Sequence, residues 1–136
     1  MSLRVEQVAR ATGVPAHTVR YYVRRKLLRP RRNARNGYHE FTPGDARVLA
    51  FIRRAQALGF TLSEIATILE KSRRRESPCP MVRDIVRRRV DEFGVELDEL
   101  IGMRRCMQRA LAKWRRMRDG VPIGDEVCRL IESVGS

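Results

Sequence analysis

Residues 5–41 read VEQVARATGVPAHTVRYYVRRKLLRPRRNARNGYHEF, and the reading of this stretch decides the fold. Val5, Val8 and Ala9 recur at helical spacing and stop at Thr12-Gly13, a helix-ending pair. A second short helix fits Ala16 to Arg25, with Pro15 at its start. Two short helices joined by a glycine-containing turn make a helix-turn-helix, whose second helix enters the DNA major groove. Leu27-Leu28 and Tyr38 to Phe41 then flank RPRRNARNG, in which Asn36-Gly37 supplies a turn that needs positive φ. The pattern predicts a basic hairpin, a wing beside the helix-turn-helix. Its arginines suit phosphate oxygens, and Tyr38 can lie along the sugar-phosphate backbone.

The candidate DNA contacts follow from that layout. His17, Thr18, Arg20, Tyr21 and Tyr22 lie on the second helix, and Arg32, Asn36, Gly37, Tyr38 and His39 on the wing. Arg53 sits near the end of the following helix, within reach of a phosphate.

Charge agrees with this reading. The 136 residues carry a net charge of +13, and it is unevenly placed. Residues 1–75 hold 17 Lys+Arg against 5 Asp+Glu, a net of +12, while residues 76–136 hold 12 against 11, a net of +1. The excess lies on the helix-turn-helix half, the electrostatic footprint of a nucleic-acid binder. A membrane-surface role fits poorly, because the basic half lacks a long amphipathic helix with a broad apolar face. No run approaches the ~18 apolar residues that span a bilayer. The opening MSLRVEQ leads straight into a charged helix rather than a signal peptide. Three cysteines, an odd number, make no disulfide framework and suit a cytoplasmic protein with free thiols. Nothing points to an enzyme: there is no Gly-rich phosphate loop, no Ser-His-Asp set and no paired carboxylates in an apolar setting.

Beyond the wing, Thr42 is a good N-cap with Pro43 at the first helical position. A helix is expected from Pro43 to about Leu58, with Ala46, Leu49, Ala50, Ile52 and Ala57 toward the core and Gly59 as its cap. Thr61 to Glu64 form a capping box for the next helix, whose apolar face is Leu62, Ile65, Ile68 and Leu69. SRRRESPCP, residues 72–80, reads as a linker.

A long helix is expected from Pro80 to about Arg118. Val86, Val90, Phe93, Leu97, Leu100, Met107, Leu111 and Trp114 mark an apolar rhythm of three and four, with Arg104 as its polar step. A seam of about 39 residues, ~58 Å at 1.5 Å per residue, needs a partner helix. The positions pair about a centre at Leu97, which suits an antiparallel C2 homodimer. DGVPIGD, 119–125, reads as a loop, and Glu126 to Val134 as a short amphipathic helix.

The composite of TVRYY (18–22), LL (27–28), NGYHEF (36–41), the helix 43–58 ending in LGF (58–60), and TLSEIATIL (61–69) resembles the MerR family of bacterial transcription regulators. With the later helix, the resemblance covers nearly the whole chain. It implies a mainly α fold: a winged helix-turn-helix with accessory helices over 1–75, a linker and coiled-coil dimerisation helix over 76–118, and an effector-binding loop with a terminal helix over 119–136. It also implies promoter DNA and RNA polymerase as partners, with effector binding distorting the promoter. Two positions depart from the family pattern. Lys26 replaces the usual glycine before LL, so the second helix is expected to end differently, and His39 follows NGY where arginine is usual.

Cys79, at the start of the long helix, and Cys128, opening the last one, resemble the thiolate ligands of metal-sensing members. In an antiparallel pair, position 79 lies opposite about position 115 of the partner, so the loop from 119 is expected to carry Cys128 toward the partner's Cys79. Soft thiolates select ions such as Hg(II) and Cu(I), with Zn(II) and Cd(II) as further candidates. The thiols also suit redox sensing. The family's usual third cysteine is absent from KWRRMRDG, 113–120, and Cys106 is read as a packing residue. The rival reading is a DNA-architectural protein without an effector.

Overall fold

The structure, a computed structural model, describes residues 3–135. It divides into two compact units, residues 1–82 and 83–136.

The first unit opens with α1 (Val5–Thr12) and α2 (Ala16–Arg24), followed by strands β1 (Arg31–Arg32) and β2 (His39–Glu40). Then come α3 (Pro43–Ala57) and α4 (Leu62–Arg73). α1 ends where Gly13 takes φ 73°, its N–H donating to the Ala9 carbonyl at 2.9 Å. A left-handed residue costs glycine least, which is why the turn of the helix-turn-helix falls there. α2 ends differently from the glycine pattern only in residue type. Lys26 adopts φ 62°, so a lysine holds the left-handed position.

α3 and α4 begin with capping boxes at Thr42/Asp45 and Thr61/Glu64. Each threonine cap stabilises its helix by about 1 kcal/mol. Gly59, φ 90°, turns the chain just beyond the Leu58 cap of α3. The core is aliphatic and aromatic: Val8 and Val19 from the two short helices, Leu27, Leu28 and Phe41 around the wing, Leu49 and Ile52 from α3, and Ile65 from α4, all nearly inaccessible. Each such burial contributes roughly 1.5–3 kcal/mol.

Three expectations for this unit change. The hairpin is shorter than its flanks suggest, with Arg31 paired to Glu40 and Arg32 to His39, because Leu27 and Leu28 sink into the core instead of extending a strand. On α3 the core positions are Leu49, Ile52 and Ala55, while Ala50 and Ala57 face solvent. The linker is also tighter: α4 runs to Arg73 and α5 (Cys79–Trp114) already begins at Cys79.

The second unit holds most of α5 and the short α6 (Arg129–Glu132). The long helix stops at Trp114, four residues before the expected Arg118, and α6 keeps only four residues of the expected nine-residue helix from Glu126 to Val134. One contact region joins the two elements. Trp114 Nε1 donates to the Leu130 carbonyl at 2.8 Å, and the Lys113 ammonium donates to the Ser133 carbonyl. Beyond Trp114 the backbone tightens to three-residue turns, Arg116 N–H donating to the Lys113 carbonyl at 3.3 Å and Met117 N–H to the Trp114 carbonyl at 3.0 Å, so the α-helical ladder ends there. Along α5, Val90, Phe93, Leu97, Leu100, Met107 and Leu111 are all more than half exposed. No helix among the described residues is long and apolar enough to cross a membrane.

Candidate nucleic-acid interface

α2 displays its polar residues in order. His17 and Arg20 are exposed and Thr18 is half-buried near the helix start. Arg20 Nη2 donates to Glu6 Oε1 of α1 at 3.0 Å, so the arginine is held from the neighbouring helix. Tyr21 is exposed, with its hydroxyl accepting from Arg25 Nη1 at 2.9 Å and the guanidiniums of Arg24 and Arg25 within 6 Å of its ring. Cation–π contact of this kind keeps a tyrosine upright on a basic surface.

Tyr22, expected on the DNA face, is a core residue. It is 5% exposed, and its hydroxyl donates to Gln56 Oε1 of α3 at 3.2 Å. The helical period explains the correction. Val19 and Tyr22, three apart, share the buried stripe of α2, which leaves Tyr21 outside.

The wing is pinned from within. Asn33 N–H donates to the Tyr38 carbonyl at 2.8 Å, and its side-chain amide donates to Glu40 Oε1 at 2.6 Å. Gly37 takes φ 74° and its N–H reaches the Asn33 carbonyl at 2.8 Å. Asn36 Oδ1 accepts from the Tyr38 N–H at 3.0 Å, so its role in the turn is to fix the tip. Tyr38 is exposed, with Arg4 stacked 4.7 Å from its ring centre. Arg32 Nη2 lies 3.4 Å from His39 Nε2 on the paired strands, which requires that nitrogen to accept. Arg20, Tyr38 and His39 thus come together around one cleft of about 460 Å³, which Glu6, Val23, Arg24 and Phe41 also line.

Arg53 lies apart from that cleft. Its Nη1 donates to the Thr12 carbonyl at 2.6 Å, closing the C-terminus of α1. It lines a second, shallower groove with Arg47 and Arg54 over Ala46, Ala50 and Ala57. Further toward α4, Arg73 Nη2 donates to the Leu27 carbonyl at 3.0 Å, just after α2. Burial, then the neighbouring Arg29, lower the Arg73 pKa, and Glu70 partly opposes them. Glu70 pairs with both Arg29 and Arg74, at 3.4 and 3.3 Å. Arg4, Glu6 and Arg73 escape sequence reading because their partners lie 14 to 46 residues away, with no periodicity to announce them.

The thiols sit at helix starts. Cys79 is exposed at the first residue of α5, its N–H donating to Ser77 Oγ at 3.3 Å. Cys128 is half-buried at the cap of α6, where Glu132 Oε2 accepts from its N–H at 3.2 Å. Cys106 is exposed on α5 in the single chain, accepting from Arg109 Nη2 at 3.3 Å. Among the described residues, no three His, Cys, Asp or Glu side chains gather as a metal site within one chain.

Comparison with known proteins matches this geometry. The family model for MerR HTH family regulatory proteins matches residues 3–72, and that for the MerR DNA-binding segment matches residues 46–110. An uncharacterized HTH-type transcriptional regulator of Pseudomonas aeruginosa is 30% identical over 106 residues, 78% of this chain and 80% of that protein. The mercuric resistance operon regulatory protein of Bacillus cereus is 30% identical over 107 residues, 79% of this chain and 81% of that protein. The transcription regulator PbrR691 of Ralstonia metallidurans, solved in complex with lead(II), superposes with a TM-score of 0.70 at 26% identity, over 98% of this chain and 99% of that one. A winged helix-turn-helix with these sequence matches makes the chain a member of the MerR family of DNA-binding transcription regulators.

Proposed function

We propose that the chain acts as a homodimer that binds promoter DNA and responds to a soft metal ion. The observation that carries the dimer is the apolar row on α5. Val90, Phe93, Leu97, Leu100, Met107 and Leu111 recur at three- and four-residue steps once Arg104 fills the gap between Leu100 and Met107, and each apolar member is more than half exposed in the single chain. A row of that length and regularity is a coiled-coil seam, and covering it with a second α5 returns it to an ordinary interior. Two-fold symmetry then presents two copies of α2 to two half-sites about one helical turn, ~34 Å, apart. His17, Thr18, Arg20 and Tyr21 face the groove, while Arg32, Tyr38 and His39 meet phosphate and sugar. Asn36 and Gly37 shape the wing tip.

For the effector, the donor set is two thiols, Cys79 and Cys128 of the partner subunit, with no third thiol near the end of α5. Two thiolates suit Hg(II) or Cu(I), which accept linear coordination, better than four-coordinate Zn(II) or Cd(II). The names of two relatives, one a mercuric resistance regulator and one crystallised with lead(II), support a soft ion as the class. When bound, the ion would supply a cross-subunit tie that the free chain lacks. That tie couples the far end of α5 to the linker leading into α4, and so to the DNA-binding half. By family resemblance, the outcome is promoter DNA reshaped for RNA polymerase.

Titration of the reduced, full-length protein with Hg(II), Cu(I) and Zn(II) tests this, with wild type set against Cys79→Ser, Cys106→Ser and Cys128→Ser. Binding lost equally in the Cys79 and Cys128 variants and kept in the Cys106 variant is expected. Binding that survives both losses overturns the thiol pair. A change in DNA affinity on thiol oxidation without metal would favour a redox signal instead.

A further inference from the structure

Among the described residues, Glu6 is the one acidic side chain lining the cleft between α1, α2 and the wing, where Arg4, Arg20 and Arg24 also stand. An exposed carboxylate on a face that meets a polyanion opposes binding by Coulomb's law, so its presence calls for a compensating task. The structure assigns that task to Arg20. Glu6 Oε1 accepts from Arg20 Nη2 at 3.0 Å, from a different helix and 14 residues away.

We propose that Glu6 is a positioning residue that sets the base discrimination of Arg20. The inference rests on the reading of Arg20 as a groove-facing residue. An arginine has a long flexible stem, and its forked donors read a base edge only when the guanidinium plane is fixed. A tether on Nη2 fixes that plane against α1, leaving the other N–H groups free for DNA. Both side chains are about half exposed or more, so the pair does little for folding. Its consequence is orientation. α1 thereby takes part in sequence readout without touching a base.

The test uses the full-length chain and its preferred site, selected from a random duplex pool. Kd is measured for that site and for a scrambled duplex at one salt concentration. Glu6→Ala is expected to tighten scrambled binding about twofold, because one repelling charge is gone. The ratio of specific to scrambled affinity should fall about fivefold as the guanidinium loses its fixed plane. Glu6→Gln, whose Oε1 still accepts from Nη2, should hold the ratio within about twofold of wild type. In an Arg20→Ala background, Glu6→Ala should lower the ratio no further. If Glu6→Ala raises both affinities alike while Arg20→Ala does lower the ratio, Glu6 is only a repelling charge and the proposal fails. If Arg20→Ala leaves the ratio unchanged, the groove-facing reading of Arg20 fails and takes the proposal with it.

Discussion

The guanidinium of Arg53, on α3, donates to the main-chain carbonyl of Thr12, the last residue of α1, at 2.6 Å. An arginine near the end of α3 looked like a phosphate ligand. It is bonded to the very turn that orients the recognition helix. Its Nη1 would also lie 3.1 Å from a Cβ at Gly13, so the guanidinium and the left-handed turn are fitted to each other.

Arg53→Ala is therefore expected to lower stability by about 1 kcal/mol, less than a buried charged hydrogen bond because the guanidinium is exposed. Its salt dependence of DNA binding should change little, while Arg32→Ala should flatten the slope of log K against log salt by ~0.9. Thermal unfolding and binding isotherms at several salt concentrations separate the two. Equal loss of slope in both variants would return Arg53 to the phosphate contacts.

Gly13→Ala should cost more than Arg53→Ala. It combines a left-handed φ of 73°, worth roughly 1–2 kcal/mol against an L side chain, with displacement of the Arg53 guanidinium. Chemical denaturation of the two variants and their double mutant reads the coupling, which should be well short of additive.

Lys26 predicts the reverse. It holds φ 62° with an L side chain, and its side chain is exposed. Lys26→Gly should raise stability by roughly 0.5–1 kcal/mol, the relief at a left-handed position less the added freedom of the unfolded chain. A melting temperature that falls instead would show that the lysine stem packs usefully.

Tyr22→Phe should cost roughly 0.5–1.5 kcal/mol, the net value of the lost bond to Gln56, and leave specific DNA affinity unchanged below the unfolding range. Tyr21→Phe should do the opposite, sparing stability and weakening DNA binding by releasing Arg25 from the hydroxyl. The pair of measurements assigns the two adjacent rings to interior and surface.

Leu97→Asp tests the seam. At the centre of two-fold pairing it sets two carboxylates face to face, and buried like charges cost several kcal/mol. Sedimentation should show monomer, with operator affinity reduced because the half-sites are uncoupled. A persisting dimer would mean that a different face of α5 is used.

The helices were legible wherever period and cap agreed. Thr42-Pro43 and Thr61 to Glu64 announced α3 and α4 because capping chemistry is local. Gly13 and Gly37 announced their turns because positive φ leaves few residue choices. What period alone could not settle was which side of α2 is buried, so Tyr21 and Tyr22 were read alike. The end of α5 was also hidden. Nothing in KWRRMR forbids helix, yet the ladder gives way to three-residue turns after Trp114, beside the bonds that Trp114 and Lys113 make to carbonyls 16 and 20 residues on. The interface shows the same division. Its residue types were readable along the strand and helix, but the tethers from Glu6, Arg4 and Arg53 join distant segments.

The bridge between Leu3 and Phe41 bears on how the protein is handled. Each backbone N–H donates to the other's carbonyl at 2.7 Å, so Leu3 is zipped to the outgoing edge of the wing. Sequence joined ahead of Leu3 therefore pulls on the wing through this bridge, and binding constants taken with an amino-terminal fusion should be repeated after its removal.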